Sequence, residues 1–343
     1  MTPDQEVRQF LGSGDRDVLA SDWPGDNVMS RVEAAERAMK QALIAEVRRR
    51  AKGGHLPRLP PGLDPSRFAI GKVAPMVRGL FPSREQEAVF RVFEGSLKFV
   101  TRGNIERVLI QMHSLETAWT IGNLYLGSLG LPGLDDKPVR LVGLSEETSF
   151  FVSMAYFEEK DPFADYVVHE AAHVFHNWKR EWAGLRHTRR QEFLLPIAFA
   201  KRETFAFACE AYSRILEQAK SRAERLRLHA TYAAAYIPDC DGVDRYELAD
   251  ILAEALAARN GWKRILRRCS PPQCSSGQAE KGQELLAGSP TGRTEYASER
   301  TARGDPEERN QSHGRGCQES DPGHVSGAAH LESAQCGRAS GRR

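Results

Sequence analysis

The sequence predicts an α+β fold that is mostly helical, with one small sheet. Two observations carry this reading. Apolar residues recur at intervals of three and four over most of the first 268 positions, as they do in helices buried along one face. Only two short runs, Val139–Val142 and Thr148–Phe157 (TSFFVSMAYF), look like strands, the second being rich in aromatic and β-branched residues.

The first clear element spans about Asn27–Lys52. Val28, Val32, Ala35, Met39, Leu43 and Val47 form its stripe, Arg48, Arg49 and Arg50 suit the negative end of its dipole, and Gly53-Gly54 stops it. His55–Pro65 (HLPRLPPGLDP) holds too much proline for a helix and reads as an extended linker. Residues 1–54 are therefore expected to be an N-terminal helical segment, 55–67 a Pro-rich linker, and 68–268 the main domain, with the first helix an appendage to it. Ser83-Arg84-Glu85-Gln86 reads as a capping box opening a helix through Phe93. A second stripe, Ile105, Val108, Leu109, Met112, Leu115 and Trp119, predicts one continuous helix that ends before Gly130.

After the two strands, Asp161-Pro162 offers an N-cap with proline at the first helical position. Further helices are expected at about Ile197–Ala219, at Arg222–Tyr236 and after Asp244, the last stopping at Asn260-Gly261. From Ser270 to Arg343 the only Leu, Ile, Val or Phe residues are Leu285, Leu286, Val325 and Leu331. So little apolar surface cannot offset the entropy of ordering a chain, and 269–343 is expected to be a disordered tail.

Composition narrows the function. A formal net charge of +2 provides no strong field to draw nucleic acid or an anionic membrane. No stretch has the roughly 18 consecutive apolar residues a bilayer span requires. Met1–Leu19 carries Asp4, Glu6, Asp15 and Asp17 and does not resemble a secretory signal, so a cytoplasmic protein is expected. The six cysteines include no CxxC pair, and Cys209 reads as a small core residue.

One stretch carries chemistry. In Asp165–His176 (DYVVHEAAHVFH) an otherwise apolar helix displays His169, Glu170 and His173. Residues four apart share a helix face, so both imidazoles can reach one ion, while Glu170 can address a water beside it. Burying three such groups without partners would cost several kcal/mol, and a metal provides a partner. His176 shares their face, but about 10.5 Å of helix axis separates it from His169 and excludes it from the same ion. It is expected to support the site. Glu203 and Glu210, on the helix predicted at Ile197–Ala219, are both candidates for a third ligand. Seven residues bring them to nearly the same angular position, so periodicity does not choose between them.

The HEAAH motif, its uncharged flanks and Phe175 two residues beyond resemble the zincin metallopeptidases. Lys179 and His176 stand where the metzincin pattern asks for histidine and glycine. The gluzincins, whose third ligand is a glutamate on a later helix, are the better likeness, and Glu203 with Ala206 is similar to their ExxA arrangement. The resemblance covers roughly Thr148–Leu216. It implies one zinc ion held by His169, His173 and Glu203, with Glu210 supporting or replacing Glu203, and Glu170 as general base. It also implies a sheet beside the HEAAH helix whose edge strand, expected at Thr148–Phe157, holds a protein or peptide substrate in extended form. Tyr212, His187 and Arg190 are candidate oxyanion donors. The basic run Lys179, Arg180, Arg186, Arg189 and Arg190 reads as a solvated loop beside the site. The competing reading is a non-enzymatic helical module that binds protein or nucleic acid through the stretch near Arg186–Arg190, with a degenerate motif.

Overall fold

Three short strands divide the molecule into two helical layers. In the computed structural model, which describes residues 1–272 except 56, 147–148, 189–190 and 236–241, the strands are β1 (Leu97–Val100), β2 (Gly143–Glu146) and β3 (Ser149–Ser153). Their order is β1-β3-β2, with β1 parallel and β2 antiparallel to β3. Successive strand residues point to opposite faces. Phe150 and Val152 accordingly enter one core together with Leu97 and Phe99, while Phe151 enters another with Val100 and Leu144. The expected strand at Val139–Val142 falls a few positions early, because the chain becomes extended and paired only from Gly143. Beyond Ser153, Met154–Glu158 winds into a 3-10 turn where strand was expected, and Thr148 lies outside the described residues.

The first layer contains α1 (Pro3–Ser13), α2 (Val28–Arg50), α5 (Ile105–Gln111) and α6 (Leu115–Ser128). The α2 stripe is buried as predicted at Ala35, Met39, Leu43 and Val47. It packs into one core with Leu109, Leu124, Tyr125 and Phe151, however, so the N-terminal helices are not an appendage. Phe10 is fully buried in that core and Glu6 accepts hydrogen bonds from Trp23 Nε1 and Asp17 N, which seats the unforeseen α1. Residues Met1–Pro271 belong to one compact unit, and the boundary expected near 54–68 does not divide it. The single helix expected from Ile105 is two. The break falls at Met112–Ser114, where Ser114 caps α6 through Thr117 N, and the apolar stripe runs on because both pieces face the same core.

The second layer contains α3 (Pro65–Leu80), α4 (Ser83–Phe93), α7 (Tyr166–Asn177), α8 (Arg202–Gln218), α9 (Arg222–Ala235), α10 (Arg245–Ala257) and α11 (Gly261–Cys269). The proline-rich linker ends earlier than expected: Asp64 caps α3 and Pro65 takes its first position. The capping box at Ser83 does not form. Pro82 is the N-cap, and Gln86 instead donates through Nε2 to the Arg78 and Phe81 carbonyls at the end of α3. The helix capped by Asp244 stops at Ala257, shortly before Asn260-Gly261 as expected, but that pair also opens the unforeseen α11, Asn260 Oδ1 accepting from Lys263 N. Cys269 is buried in that helix, so the ordered chain includes it, whereas the tail from Gln273 onward lies outside the described residues. Among the described residues no helix is long and apolar enough to cross a membrane.

Candidate metal centre

The α7 helix begins four residues later than Asp161-Pro162 suggested. Asp161 caps only a turn, accepting from Phe163 N, and Asp165 is the N-cap of α7. Asp165 is buried. Its carboxylate accepts from Val168 N and pairs with Lys72 Nζ at 2.8 Å, and its own N–H donates to Glu210 Oε1 at 2.6 Å. Every residue from Tyr166 to His176 is buried, between the sheet on one side and α3 and α8 on the other.

The structure brings His169, His173 and Glu203 together and keeps Glu210 and His176 one step behind. His169 Nε2 and His173 Nε2 lie 3.2 Å apart, and Glu203 places Oε2 3.6 Å from the first and Oε1 3.5 Å from the second. A tetrahedral ion with bonds of 2.0–2.1 Å requires ligand atoms about 3.3–3.4 Å apart. The three side chains therefore form a group that could hold a metal ion. This decides what helical periodicity left open. Glu203 faces the cluster, and Glu210, two turns along α8, meets the far nitrogen of His169, Nδ1, at 3.2 Å.

Hydrogen bonds behind the histidines select the right tautomers. Glu210 accepts from His169 Nδ1, which leaves only Nε2 to face the cluster. His176 Nδ1 donates to Asn177 Oδ1 at 2.9 Å, so its Nε2 is an acceptor, and it receives the Nδ1 hydrogen of His173 at 3.0 Å. His173 Nε2 is then also turned toward Glu203. The supporting role expected for His176 is the one its geometry allows.

Charge in the metal-free cluster follows from burial and these partners. Burial lowers His169, but the hydrogen bonds it donates to the Glu203 and Glu210 carboxylates outweigh that and raise the imidazole to about 10. Burial opposes ionisation of Glu203, yet His173 and His169 draw it down to about 2. His173 is held at about 4 by burial, with Glu203 offsetting only part of it, and His176 at about 2 by burial and the charge of His173 and Arg202. The result is a proton held between His169 and Glu203 where a cation would sit.

Glu170 points to the other side of the cluster, against β2. Burial raises its carboxyl to about 7, and the nearby charge of His169 and a hydrogen bond from Ser145 restrain that rise. Gly143 leaves the room it needs, since a Cβ there would lie 2.6 Å from Glu170 Cγ and 2.7 Å from Cδ. This corrects the strand assignment. The expected edge strand β3 is central, and the strand beside Glu170 at the sheet edge is β2. Glycine in a strand marks close approach, and that was the available signal in Gly143-Leu144-Ser145.

Other expectations meet mixed outcomes. Tyr212 stacks edge-on to Trp262 in the α8–α11 packing, with its hydroxyl at Gly261, and does not join the cluster. His187 is exposed, 3.6 Å from Glu181. Arg189 and Arg190 lie outside the described residues. Of the remaining basic run, Lys179 pairs with Glu192 at 2.8 Å, and Arg180 is buried against Glu85 and the Arg186 and Leu194 carbonyls. The Arg180 charge is spent inside the fold, and the Lys179 pair lies at the surface. No protein-family model, curated protein or solved structure matches the chain.

Proposed function

We propose that the chain is a zincin-type metallopeptidase that hydrolyses peptide bonds in a protein or peptide substrate. The observation that carries the reading is the convergence of His169 Nε2, His173 Nε2 and the Glu203 carboxylate, whose two oxygens lie 3.6 and 3.5 Å from one imidazole each, on a space that could hold one ion. Two nitrogens and one carboxylate leave a fourth position open, as catalytic zinc sites do, and Glu203 keeps 21% of its side-chain surface accessible. When bound, zinc supplies Lewis-acid chemistry at a carbonyl and lowers the pKa of a water.

The protein's own groups do the rest. Glu170, with a carboxyl near neutrality, takes a proton from the attacking water and passes it to the leaving amine. Glu210 and the His176–Asn177 pair hold the two imidazoles in place. β2 offers a strand edge beside Glu170 along which an extended peptide pairs through its backbone.

Metal analysis of the purified chain, with cleavage of a peptide mixture read by mass spectrometry, tests the proposal. One zinc per chain is expected. Glu170→Gln should keep that zinc and lose nearly all cleavage. A metal-free chain, or a fully active Glu170→Gln variant, would overturn it.

A further inference from the structure

Arg202 is the first residue of α8 and stands immediately before Glu203. Its guanidinium has no carboxylate within ion-pairing distance among the described residues, and its Nε is sequestered without a hydrogen-bond partner. The guanidinium stacks on the ring of Phe199, whose centroid lies 4.9 Å from the guanidinium carbon. Phe199 is itself 69% exposed. By contrast, the buried Arg180 has Glu85 and two carbonyls. Arg31 and Arg225 also lack a partner at Nε, but Arg202 is the one that adjoins a carboxylate of the metal cluster.

A half-buried guanidinium with an exposed aromatic beneath it is preorganised for a planar anion. Its donors form a rigid fork that matches a carboxylate, and the ring holds the fork in plane. Among the described residues no carboxylate supplies its counter-charge, which leaves the fork open to an external anion.

We infer that Arg202 is a specificity residue that binds a substrate carboxylate, either an acidic side chain or the C-terminus, close to the cleaved bond. An extended peptide advances about 3.3–3.4 Å per residue, so a group beside Glu203 addresses positions one or two residues from the reacting carbonyl. The inference rests on the peptidase reading for its substrate but not for its measurement. Phe199 forms the outer wall of the same subsite.

The test is equilibrium binding to the zinc-loaded full chain carrying Glu170→Gln, which prevents turnover. The probes are acetylated, amidated hexa-alanine peptides with one Glu or one Gln at each position, and the same all-alanine peptide with a free C-terminus. At one register the Glu peptide, or else the free-acid peptide, should bind at least tenfold more tightly than its neutral counterpart, as one charge-assisted pair implies. Which of the two is preferred identifies the source of the carboxylate. Adding Arg202→Gln should bring that ratio to about one with zinc content unchanged, while Arg202→Lys should keep part of it. No carboxylate preference in the parent, including no binding of any probe at millimolar concentration, overturns the inference, as does a preference that survives Arg202→Gln. Failure of the peptidase reading looks different: a chain with Glu170 intact that holds no zinc or cleaves nothing, whatever its binding ratio.

Discussion

At the scale of single residues, the cluster was readable wherever the signal was local. His169 and His173 stand one turn apart on one helix, a spacing that dictates their common face, and the structure places their Nε2 atoms 3.2 Å apart while Glu170 points to β2. Glu203 and Glu210 belong to a second helix, and their choice depended on how α8 slides and rolls against α7, which periodicity does not encode. Their different contacts predict different losses. Glu203→Ala removes a ligand and should abolish stoichiometric zinc binding, whereas Glu210→Gln removes only the acceptor for His169 Nδ1 and should weaken zinc roughly 10–100-fold. Competition with a chelator separates them, and equal losses would deny the two glutamates distinct roles. The metal-free proton shared by His169 and Glu203 gives a second check. Because His169 is raised to about 10, its pairing stabilises the metal-free fold fully below about pH 6.5 and ceases to do so as pH rises through 10. Zinc must displace that proton. At pH 8, where Glu170 is already ionised, binding should release at least one proton per zinc, and the part that comes from His169 should vanish above pH 10. Calorimetry in buffers of different ionisation enthalpy measures this, and zero release at pH 8 would mean His169 is neutral without metal.

At the scale of elements, the sequence located helices with long stripes and misplaced those whose ends are settled by packing. α2 and α9 begin where they were expected, because cap and periodicity agree or a charged stretch bounds them. α3 was missed, since Gly71, Pro75 and Gly79 look like breakers. Its neighbours explain the tolerance: Gly79 lies so close to Trp262 of α11 that a Cβ would sit 2.5 Å from the indole Cγ. The strands were harder still, because four or five residues carry little pattern and their order in the sheet depends on contacts far apart in sequence. The exchange of edge for centre between β2 and β3 moves the expected substrate strand, and Gly143 tests the move. Gly143→Ala would press directly on the Glu170 side chain while leaving His169, His173 and Glu203 untouched. The variant should retain one zinc per chain and lose at least tenfold in hydrolysis, an effect that a 1 Å displacement of a general base readily produces. An unaffected rate would show that β2 does not constrain Glu170.

At the scale of the whole molecule, the sequence suggested an N-terminal helix hung on a linker, whereas the structure makes that helix one of four that share the first core. The misreading has a physical source: the proline-rich stretch before α3 forms no helix, and local composition does not reveal that the chain on both sides packs against the same sheet. The β3 strand joins the two cores, with Phe151 facing α2 and α6 and its neighbours Phe150 and Val152 facing α7. Loss of packing in the first layer should therefore reach the metal centre. Leu43 is fully buried on α2, touches no group of the cluster and lies in the core that Phe151 closes. Leu43→Ala should destabilise the chain by about 2–5 kcal/mol through the lost transfer energy and the cavity left behind. For a compact unit of this kind the cost should fall on one cooperative transition. Circular dichroism and release of bound zinc, followed on the same thermal ramp, should then shift downward together. An independent appendage would behave otherwise: a small early transition from the N-terminal helices, with zinc release at its original temperature.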